Sequence, residues 1–231
     1  MYKRQEVGDA EYFLNSDSID LEGYEFENGE DAWAIAFFIE HNPNLTLLII
    51  SGGQLTGRSV FGTPGVSLIA AAVAHNSTLQ ELKIARHLLG NDGAAHLADM
   101  LRVNDTLQKL DLSSNQISNE GVGRLAITLA SNPNTALTHL ILTDNKISDQ
   151  GAGSLGAMLT NNTTLRNLTL QHNQIGDRGA ISLAQSLRTN RTLRHINLLN
   201  NRYNVRGMIE FRSVQRSRDA PLNMLVNRPR T

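Results

Sequence analysis

The stretch Leu107–Asn134, LQKLDLSSNQISNEGVGRLAITLASNPN, decides the fold because nearly the same pattern follows it twice. It returns as LTHLILTDNKISDQGAGSLGAMLTNNTT from Leu137 and as LRNLTLQHNQIGDRGAISLAQSLRTNRT from Leu165. The shared template is LxxLxLxxNxIxxxGxxxLAxxLxxNxT. A fixed period of about 28 residues predicts stacked repeats, each of which supplies one strand and one helix.

This pattern resembles the ribonuclease-inhibitor subfamily of leucine-rich repeats, which also forms the sensing region of intracellular nucleotide-binding receptors. The resemblance extends over about residues 16–201. It implies an α/β solenoid (horseshoe) with a parallel sheet on the concave side and helices outside. We predict an N-terminal region and helical cap over 1–41, leucine-rich repeats over 42–201, and a C-terminal helical cap and basic tail over 202–231.

The composition excludes several classes of function. The chain has no cysteine, which rules out disulfides, a thiolate nucleophile and a zinc ribbon. It begins without the apolar core of a signal peptide and has no apolar run of about 18 residues, so we expect a cytoplasmic protein. The GxGxxG string at Gly151 falls inside a repeat helix, and the seven histidines show no metal spacing. We therefore predict no cofactor and no metal.

Within each repeat, two polar positions have predicted structural roles. The template asparagine at the end of each strand can satisfy backbone groups of the strand-to-loop turn and so form a ladder. His87 occupies this position in the repeat from Leu79 and can do only part of that work. A glycine in each regular repeat, such as Gly151, is expected to permit the turn that enters the helix. The predicted ladder is Asn115, Asn145, Asn173 and Asn201.

The two ends of the chain depart from the template. We predict a capping helix over Asp31–His41 in which Trp33, Phe37 and Phe38 close the core. At the other end, VRGMIEFRSVQRS predicts a last helix with Val205, Met208, Ile209 and Val214 facing inward. Residues 1–41 carry eleven acidic and two basic side chains, whereas 202–231 carry two acidic side chains and seven arginines. We expect a monomer, with weak head-to-tail association at low salt if these ends attract.

The x positions of LxxLxLxxN alternate with core leucines and are therefore predicted to face the concave side. Their varied chemistry on a constant frame is typical of a binding face, although an ordinary polar sheet surface would look similar. Leu47 and Ile49 form an apolar anchor there unless the long loop Thr56–Thr63 buries them. The candidate partner-binding residues are Leu47, Ile49, Arg58, Phe61, Lys83, Arg86, Asp111, His139, Ile141, Arg166, His172, Arg194 and His195.

These observations favour a non-enzymatic protein-interaction module that binds a protein partner on its concave face. The resemblance also includes small bacterial leucine-rich effectors, which implies action in a host cytosol. The alternative is a GTPase-activating protein, because the same repeat family includes the activator of the nuclear-transport GTPase. In that hypothesis Arg58 would neutralise charge on the transferring phosphoryl group. Nucleic-acid binding is disfavoured, because the positive charge lacks exposed aromatic side chains beside it.

Overall fold

Strands and helices alternate along the chain, as the repeat predicts. The computed structural model describes residues 10–24, 29–52, 62–132, 135–217 and 222–226. The strands are β1 Ser18–Glu22, β2 Leu47–Ser51, β3 Glu81–Ala85, β4 Lys109–Asp111, β5 His139–Ile141, β6 Asn167–Thr169, β7 His195–Asn197 and β8 Asn223–Leu225. The helices are α1 Ala10–Asn15, α2 Gly29–His41, α3 Gly62–Ala74, α4 Gly90–Val103, α5 Asn119–Ser131, α6 Asp149–Asn161, α7 Asp177–Ser186 and α8 Val205–Ser217.

The described strands form one parallel sheet in chain order, β1 to β8. Each helix from α3 to α7 packs between its two sequence neighbours on one face of this sheet. Neighbouring strands lie about 4.8 Å apart whereas packed helices lie about 8–10 Å apart, so the sheet must occupy the inner side of the curve. The prediction of an α/β solenoid with a parallel sheet and outer helices is confirmed.

The core consists of equivalent leucine layers stacked along the solenoid. Leu110, Leu140 and Leu168 are register partners on β4, β5 and β6. Each is at most 1% exposed. Their strand neighbours on either side point to the other face because side chains alternate along a strand. The template leucines of the helices cover the same layers from outside, and each layer is therefore held by the repeats before and after it.

The helix-to-strand turns carry a row of asparagines that belongs to the solenoid interior. In three of these turns the side-chain amide donates to a carbonyl oxygen near the end of the helix of the preceding repeat, and the side-chain oxygen accepts from two backbone N–H groups of its own turn. Asn162, for example, donates to Leu129 O at 2.9 Å and accepts from Leu165 N at 2.8 Å. Asn104 and Asn190 repeat this pattern. These Asn-x-Thr triplets therefore have a structural role, since a glycan on any of them would displace buried hydrogen bonds.

The first turn of each regular helix is capped by the preceding repeat. Asn119 Oδ1, at the start of α5, accepts from Ser148 N at 2.9 Å and from Gly151 N at 3.0 Å in the next repeat. None of the cap residues that precede α5, α6 and α7 caps its own helix through a side chain. The equivalent capping side chains are Asn91, Asn119, Asp149 and Asp177. One oxygen thus satisfies two otherwise unpaired helix N–H groups across a repeat boundary.

Capping across the repeat boundary explains why the template position is a glycine. The prediction that this glycine permits the turn that enters the helix is wrong. Gly121, Gly151 and Gly179 are absent from the residues with positive φ, so their backbone conformation does not require glycine. A Cβ atom on Gly151 would lie 2.8 Å from Asn119 Oδ1 and 2.8 Å from a methyl group of Val122. Glycine is needed there because the preceding repeat approaches too closely for any side chain.

Two alanine substitutions in α6 test this explanation. Gly151→Ala is expected to lower the free energy of unfolding by about 1–3 kcal/mol, because the new methyl group overpacks the repeat boundary. Gly153→Ala, two residues along the same helix, places its Cβ no closer than 3.9 Å to a neighbouring atom. It is expected to raise the free energy of unfolding by about 0.5–1 kcal/mol through helix propensity. Urea denaturation of both variants gives the comparison, and equal effects would contradict the close-approach explanation.

Both ends of the solenoid differ from the sequence prediction. Helix α1 and strand β8 were not predicted, and β8 pairs with β7 where only a tail was expected after α8. Trp33 is 63% exposed, so the prediction that it closes the core is wrong. In α8, Met208 and Val214 are buried as predicted, but Val205 and Ile209 are exposed and Phe211 occupies the core instead. In α2 and α8, apolar residues at helical spacing therefore lie both on the side that faces the core and on the side that is exposed.

Candidate protein-binding face

The concave face consists of two rows of side chains that cross the sheet. The first row runs in register through Leu47, Glu81, Lys109, His139, Asn167 and His195. The second runs through Ile49, Lys83, Asp111, Ile141, Thr169 and Asn197. Between the rows lie buried residues such as Leu140 and Leu168. The candidate residues on the strands are therefore neighbours on one surface.

An apolar segment lies at the N-terminal side of this face. Leu47 and Ile49 are both half-buried, which leaves part of each side chain accessible. Ile141, two strands beyond Lys83 in the same row, is half-buried as well. The loop residues Arg58 and Phe61 lie outside the described residues. The prediction that their loop either covers or extends the apolar surface of Leu47 and Ile49 therefore stays open.

Three cationic side chains in the N-terminal half of the face are paired with acidic side chains. Lys83 Nζ lies 3.4 Å from a carboxylate oxygen of Glu22, and Arg86 Nη1 lies 3.9 Å from the other. Lys109 Nζ lies 3.0 Å from Glu81 Oε2. Each of these pairs is partly exposed, so each contributes little to stability. Their effect is to make this half of the face nearly neutral in charge.

Asp111 is also engaged within the fold. Its carboxylate oxygen Oδ1 accepts a hydrogen bond from Ser113 N at 2.9 Å and from Ser113 Oγ at 2.5 Å. These bonds hold the turn that follows β4 and leave the second carboxylate oxygen available. Asp111 therefore presents a fixed acceptor on the face.

His139 lies near the middle of the face in an environment that favours its neutral form. Burial lowers the pKa of His139, and the neighbouring positive charge of Lys109 lowers it further, whereas the carboxylate of Glu81 opposes both effects. His139 Nδ1 lies 2.8 Å from Thr138 Oγ1. A neutral imidazole offers both a donor and an acceptor, so His139 is suited to hydrogen bonding rather than to charge pairing.

The candidate cations at the C-terminal side do not form one cluster. Arg166 and Arg194 precede β6 and β7, and they are adjacent because Arg194 N donates to Arg166 O at 2.7 Å. His172 follows β6 and therefore lies at the opposite edge of the sheet. Within the described residues neither arginine forms an ion pair with an acidic side chain. The expectation that His172 gathers with these arginines is wrong, and the positive patch consists of Arg166 and Arg194, with His195 beside them.

Comparison with known proteins identifies the repeat. The pattern of a family described as "Leucine Rich repeat" matches residues 75–98, 103–126, 134–156 and 161–184. The chain is a leucine-rich repeat protein. The matched segments contain the strands β3 to β6 and most of the helices α4 to α7. The ribonuclease-inhibitor subfamily within the leucine-rich repeats stays a prediction.

Solved structures of other leucine-rich repeat proteins share the fold. One, actin-binding site 2 (ABS2) of leiomodin-1, has a TM-score of 0.54 at 19% identity, over 64% of this chain and 86% of that one. Another, the tropomodulin C-terminal domain of Caenorhabditis elegans, has a TM-score of 0.56 at 11% identity, over 66% of this chain and 92% of that one. None of the curated protein sequences compared with this chain matches it. At these identities the likeness concerns the fold alone.

After each of the strands β3 to β7 the chain passes through a residue in the left-handed region, which the sequence did not reveal. The positive φ values at this position are 63° at Arg86, 57° at Ser114, 54° at Asp144, 55° at His172 and 57° at Asn200. Side chains in this row bond to each other across repeats: Ser114 Oγ donates to Asp144 Oδ2 at 2.8 Å, and Asn200 Nδ2 lies 2.9 Å from His172 Nε2. Arg86 and His172 are thus rim residues that flank the strands.

The asparagines of the leucine-rich repeat join each strand end to the repeat before it. Asn145 Nδ2 donates to Leu112 O at 3.0 Å, and Asn145 Oδ1 accepts from Ile117 N at 2.9 Å. The equivalent donations are Asn115 to Ile84 O, Asn173 to Leu142 O and Asn201 to Leu170 O. These bonds satisfy carbonyl groups that the strands leave unpaired at the turn. They fix the frame on which the concave rows are displayed.

The described part of the chain shows neither a metal site nor a membrane span. No group of three or more His, Cys, Asp or Glu side chains in it is arranged to hold a metal ion. No helix there is long and apolar enough to cross a membrane. Two shallow grooves lie on the helix side, one between α4 and α5 and one along α8. The GTPase-activating alternative depends on Arg58, which lies outside the described residues, and it stays a prediction.

Proposed function

We propose that this leucine-rich repeat protein is a non-enzymatic module that binds a protein partner on its concave face. The proposal rests on the two rows of register partners that cross the concave face. In these rows half-buried apolar residues lie beside hydrogen-bonding groups on a rigid sheet. A protein interface has a partly apolar centre with a polar rim, and these rows supply both. The fold of the leiomodin-1 and tropomodulin structures supports an interaction module by analogy.

The distribution of charge suggests the chemistry of the partner. Lys83, Arg86 and Lys109 already face acidic side chains of the same face, so they do not add net positive charge to it. Arg166 and Arg194 have no such acidic neighbours among the described residues. We therefore propose a partner that places an apolar side chain against Leu47 and Ile49 and acidic groups near the two arginines.

Matched substitutions on the two sides of the solenoid test the binding face. Ile49→Asp is expected to abolish binding, because it places a charge in the apolar centre of the interface. Ile127→Asp introduces the same change on α5, where Ile127 is 69% exposed on the helix side, and it is expected to leave binding unchanged. The partner is first obtained by photo-crosslinking from the concave face, and binding is then measured by calorimetry. A folded Ile49→Asp variant that binds like the wild type would place the site elsewhere.

The arginine pair is tested through association kinetics. Arg166→Glu combined with Arg194→Glu is expected to slow association at low salt, since these charges steer an acidic partner toward the face. Arg124→Glu combined with Arg178→Glu makes the same change on the helix side and serves as the control. Equal association rates for the two double variants would exclude a role for the Arg166 and Arg194 patch.

The structural neighbours also provide a defined first partner. The leiomodin-1 structure is that of an actin-binding site. Co-sedimentation with filamentous actin, in parallel with monomeric actin binding, therefore comes before a general search. The effector role, which the resemblance of the repeats implies, and the cytoplasmic location both stay predictions.

A further inference from the structure

The C-terminal half of the concave face carries two imidazoles in one row of the sheet. His139 on β5 and His195 on β7 lie in register on either side of Asn167 on β6. Their Cα atoms are two strand spacings apart, which is about 9–10 Å. His195 is exposed, and both His139 and Asn167 are half-buried. One small anionic group therefore has room between the imidazoles, above the amide of Asn167. We call these three residues the imidazole site.

Two arginines border the imidazole site at the edge where its strands begin. Arg166 directly precedes Asn167, and Arg194 directly precedes His195. Neither guanidinium forms an ion pair with an acidic side chain in the described ranges. The two arginines therefore add positive charge that this surface does not neutralise, and they attract an anionic group toward the imidazole site.

The other neighbours of the two imidazoles contribute little net charge. On the β4 side of His139, Lys109 Nζ lies 3.0 Å from Glu81 Oε2, so this cation and this carboxylate largely cancel. Asp111, in the second row on β4, is held by hydrogen bonds to the turn that follows. On the other side of His195, strand β8 carries no charged residue. The charge of the imidazole site near neutral pH therefore changes with the protonation of His139 and His195.

A chain of hydrogen bonds determines which nitrogen of neutral His139 carries the proton. Thr138 has one hydroxyl hydrogen, which Oγ1 donates to Gln108 O at 3.1 Å. Thr138 Oγ1 also lies 2.8 Å from His139 Nδ1. Because the hydroxyl hydrogen is already used, Nδ1 donates the second bond and Nε2 is left as an acceptor. A neutral His139 therefore presents a lone pair where an anion would need a donor.

Protonation would turn this acceptor into a donor, but the free protein disfavours it. Burial lowers the pKa of His139, and a proton on His195 lowers it further. An anionic group between the two imidazoles has the opposite effect, because it favours the charged form of each. The anion and the protons therefore bind cooperatively, since each raises the affinity of the site for the other.

We propose that the imidazole site binds a carboxylate of an acidic partner segment and takes up protons on His139 and His195 as it does so. This inference rests on the proposed function, because it specifies how the concave face recognises acidic groups of its protein partner. The protonated imidazoles and the amide of Asn167 donate to the bound carboxylate. Arg166 and Arg194 attract the acidic residues beside it. Binding at this end of the face is therefore stronger in mild acid than at neutral pH.

A short acidic peptide segment fits this surface better than a nucleic acid. The imidazole site spans three strands, and the row continues through Lys109 to Glu81 on β3. The carboxylate of Glu81 would repel a long polyanion that followed the row. The two concave rows also contain no Phe, Tyr or Trp on which bases could stack. A cluster of a few carboxylates is therefore the ligand class that we assign to the site.

Fluorescence anisotropy of a labelled polyaspartate peptide, titrated with the full chain at about 0.05 M salt, tests the proposal. Binding is expected to be about tenfold tighter at about pH 5.5 than at about pH 7.5, because a pKa shift of about one unit on binding corresponds to a tenfold change in affinity. His139→Gln combined with His195→Gln retains hydrogen-bonding side chains that do not titrate, and it is expected to bind equally at both pH values. His75→Gln combined with His96→Gln removes two exposed histidines from the helix side and is expected to keep the pH dependence.

Proton uptake gives a second readout, which a merely structural role of the histidines would not produce. Calorimetry at about pH 6, in two buffers of different ionisation enthalpy, is expected to show net proton uptake when the wild type binds polyaspartate. The variant with His139→Gln and His195→Gln is expected to show none. Circular dichroism at each pH verifies that the compared proteins are folded.

The polyaspartate probe has no apolar side chain, so Ile49→Asp is expected to leave its binding unchanged. A failure of this inference is therefore distinguishable from a failure of the apolar anchor in the proposed function. Wild-type binding that is absent, or equal at the two pH values, would overturn the proposal. A pH dependence that survives in the variant with His139→Gln and His195→Gln would overturn it too. Tighter binding of an oligodeoxythymidylate of equal charge would show that the site recognises a nucleic acid instead.

Discussion

Leu140→Ala is expected to lower the free energy of unfolding by about 2–5 kcal/mol. Leu140 is fully buried on β5, between its register partners Leu110 and Leu168. Removing its side chain leaves a cavity that these neighbours cannot fill, since each is held in its own layer by the next repeat. In a solenoid the loss also weakens the coupling between repeats, and a less cooperative transition would accompany the lower stability.

The adjacent residue of the same strand is the matched control. Ile141 faces the concave side and is only half-buried, so Ile141→Ala is expected to cost about 1 kcal/mol or less. Urea denaturation followed by circular dichroism measures both free energies of unfolding. A Leu140→Ala variant as stable as the wild type, with Ile141→Ala strongly destabilised, would reverse the strand register described above.

The repeat positions made the interior of the solenoid predictable. A leucine that recurs every repeat in phase with its neighbours can have only one environment, and Leu110, Leu140 and Leu168 share it. The concave rows followed from the same phase, because alternate strand residues must face the other side. The repeat template does not determine the rotamer of each side chain, so contacts between side chains could not be predicted from it. The pairing of Glu22 with Lys83, residues far apart in sequence, therefore emerged only from the structure.

Helices α2 and α8 were harder to predict because, among the described residues, each packs extensively against another helix on one side only. Apolar residues at helical spacing usually mark a buried face, and this expectation failed for Trp33 and Ile209, which lie on exposed sides. One difference between α8 and the interior helices was nevertheless visible in the sequence. The Asn or Asp two residues before the template glycine recurs through α7 and is replaced by Val205 in α8.

His87 is expected to make the stability of the protein sensitive to mild acid. It replaces the ladder asparagine, is fully buried, and donates its backbone N–H to Asn115 Oδ1 at 2.9 Å. Burial lowers the pKa of His87 to about 4, and a hydrogen bond with the Ile50 backbone opposes this only in part. An unfolded histidine has a pKa of about 6.5. Between these two values the unfolded chain binds a proton that the native protein excludes.

Since the folded pKa is the lower one, the stability from neutral His87 is fully present above about pH 6.5 and is lost as the pH falls toward 4. The loss amounts to about 3 kcal/mol, from a pKa difference of about 2.5 at 1.36 kcal/mol per unit. His87→Asn restores the ladder amide, which does not titrate, and is expected to remove this part of the pH dependence. His139 and the carboxylates titrate in both proteins, so the difference between their free energies of unfolding at pH 7 and at pH 4.5 isolates His87. Parallel pH profiles for the wild type and His87→Asn would show that the native protein accommodates a charged imidazole in the ladder.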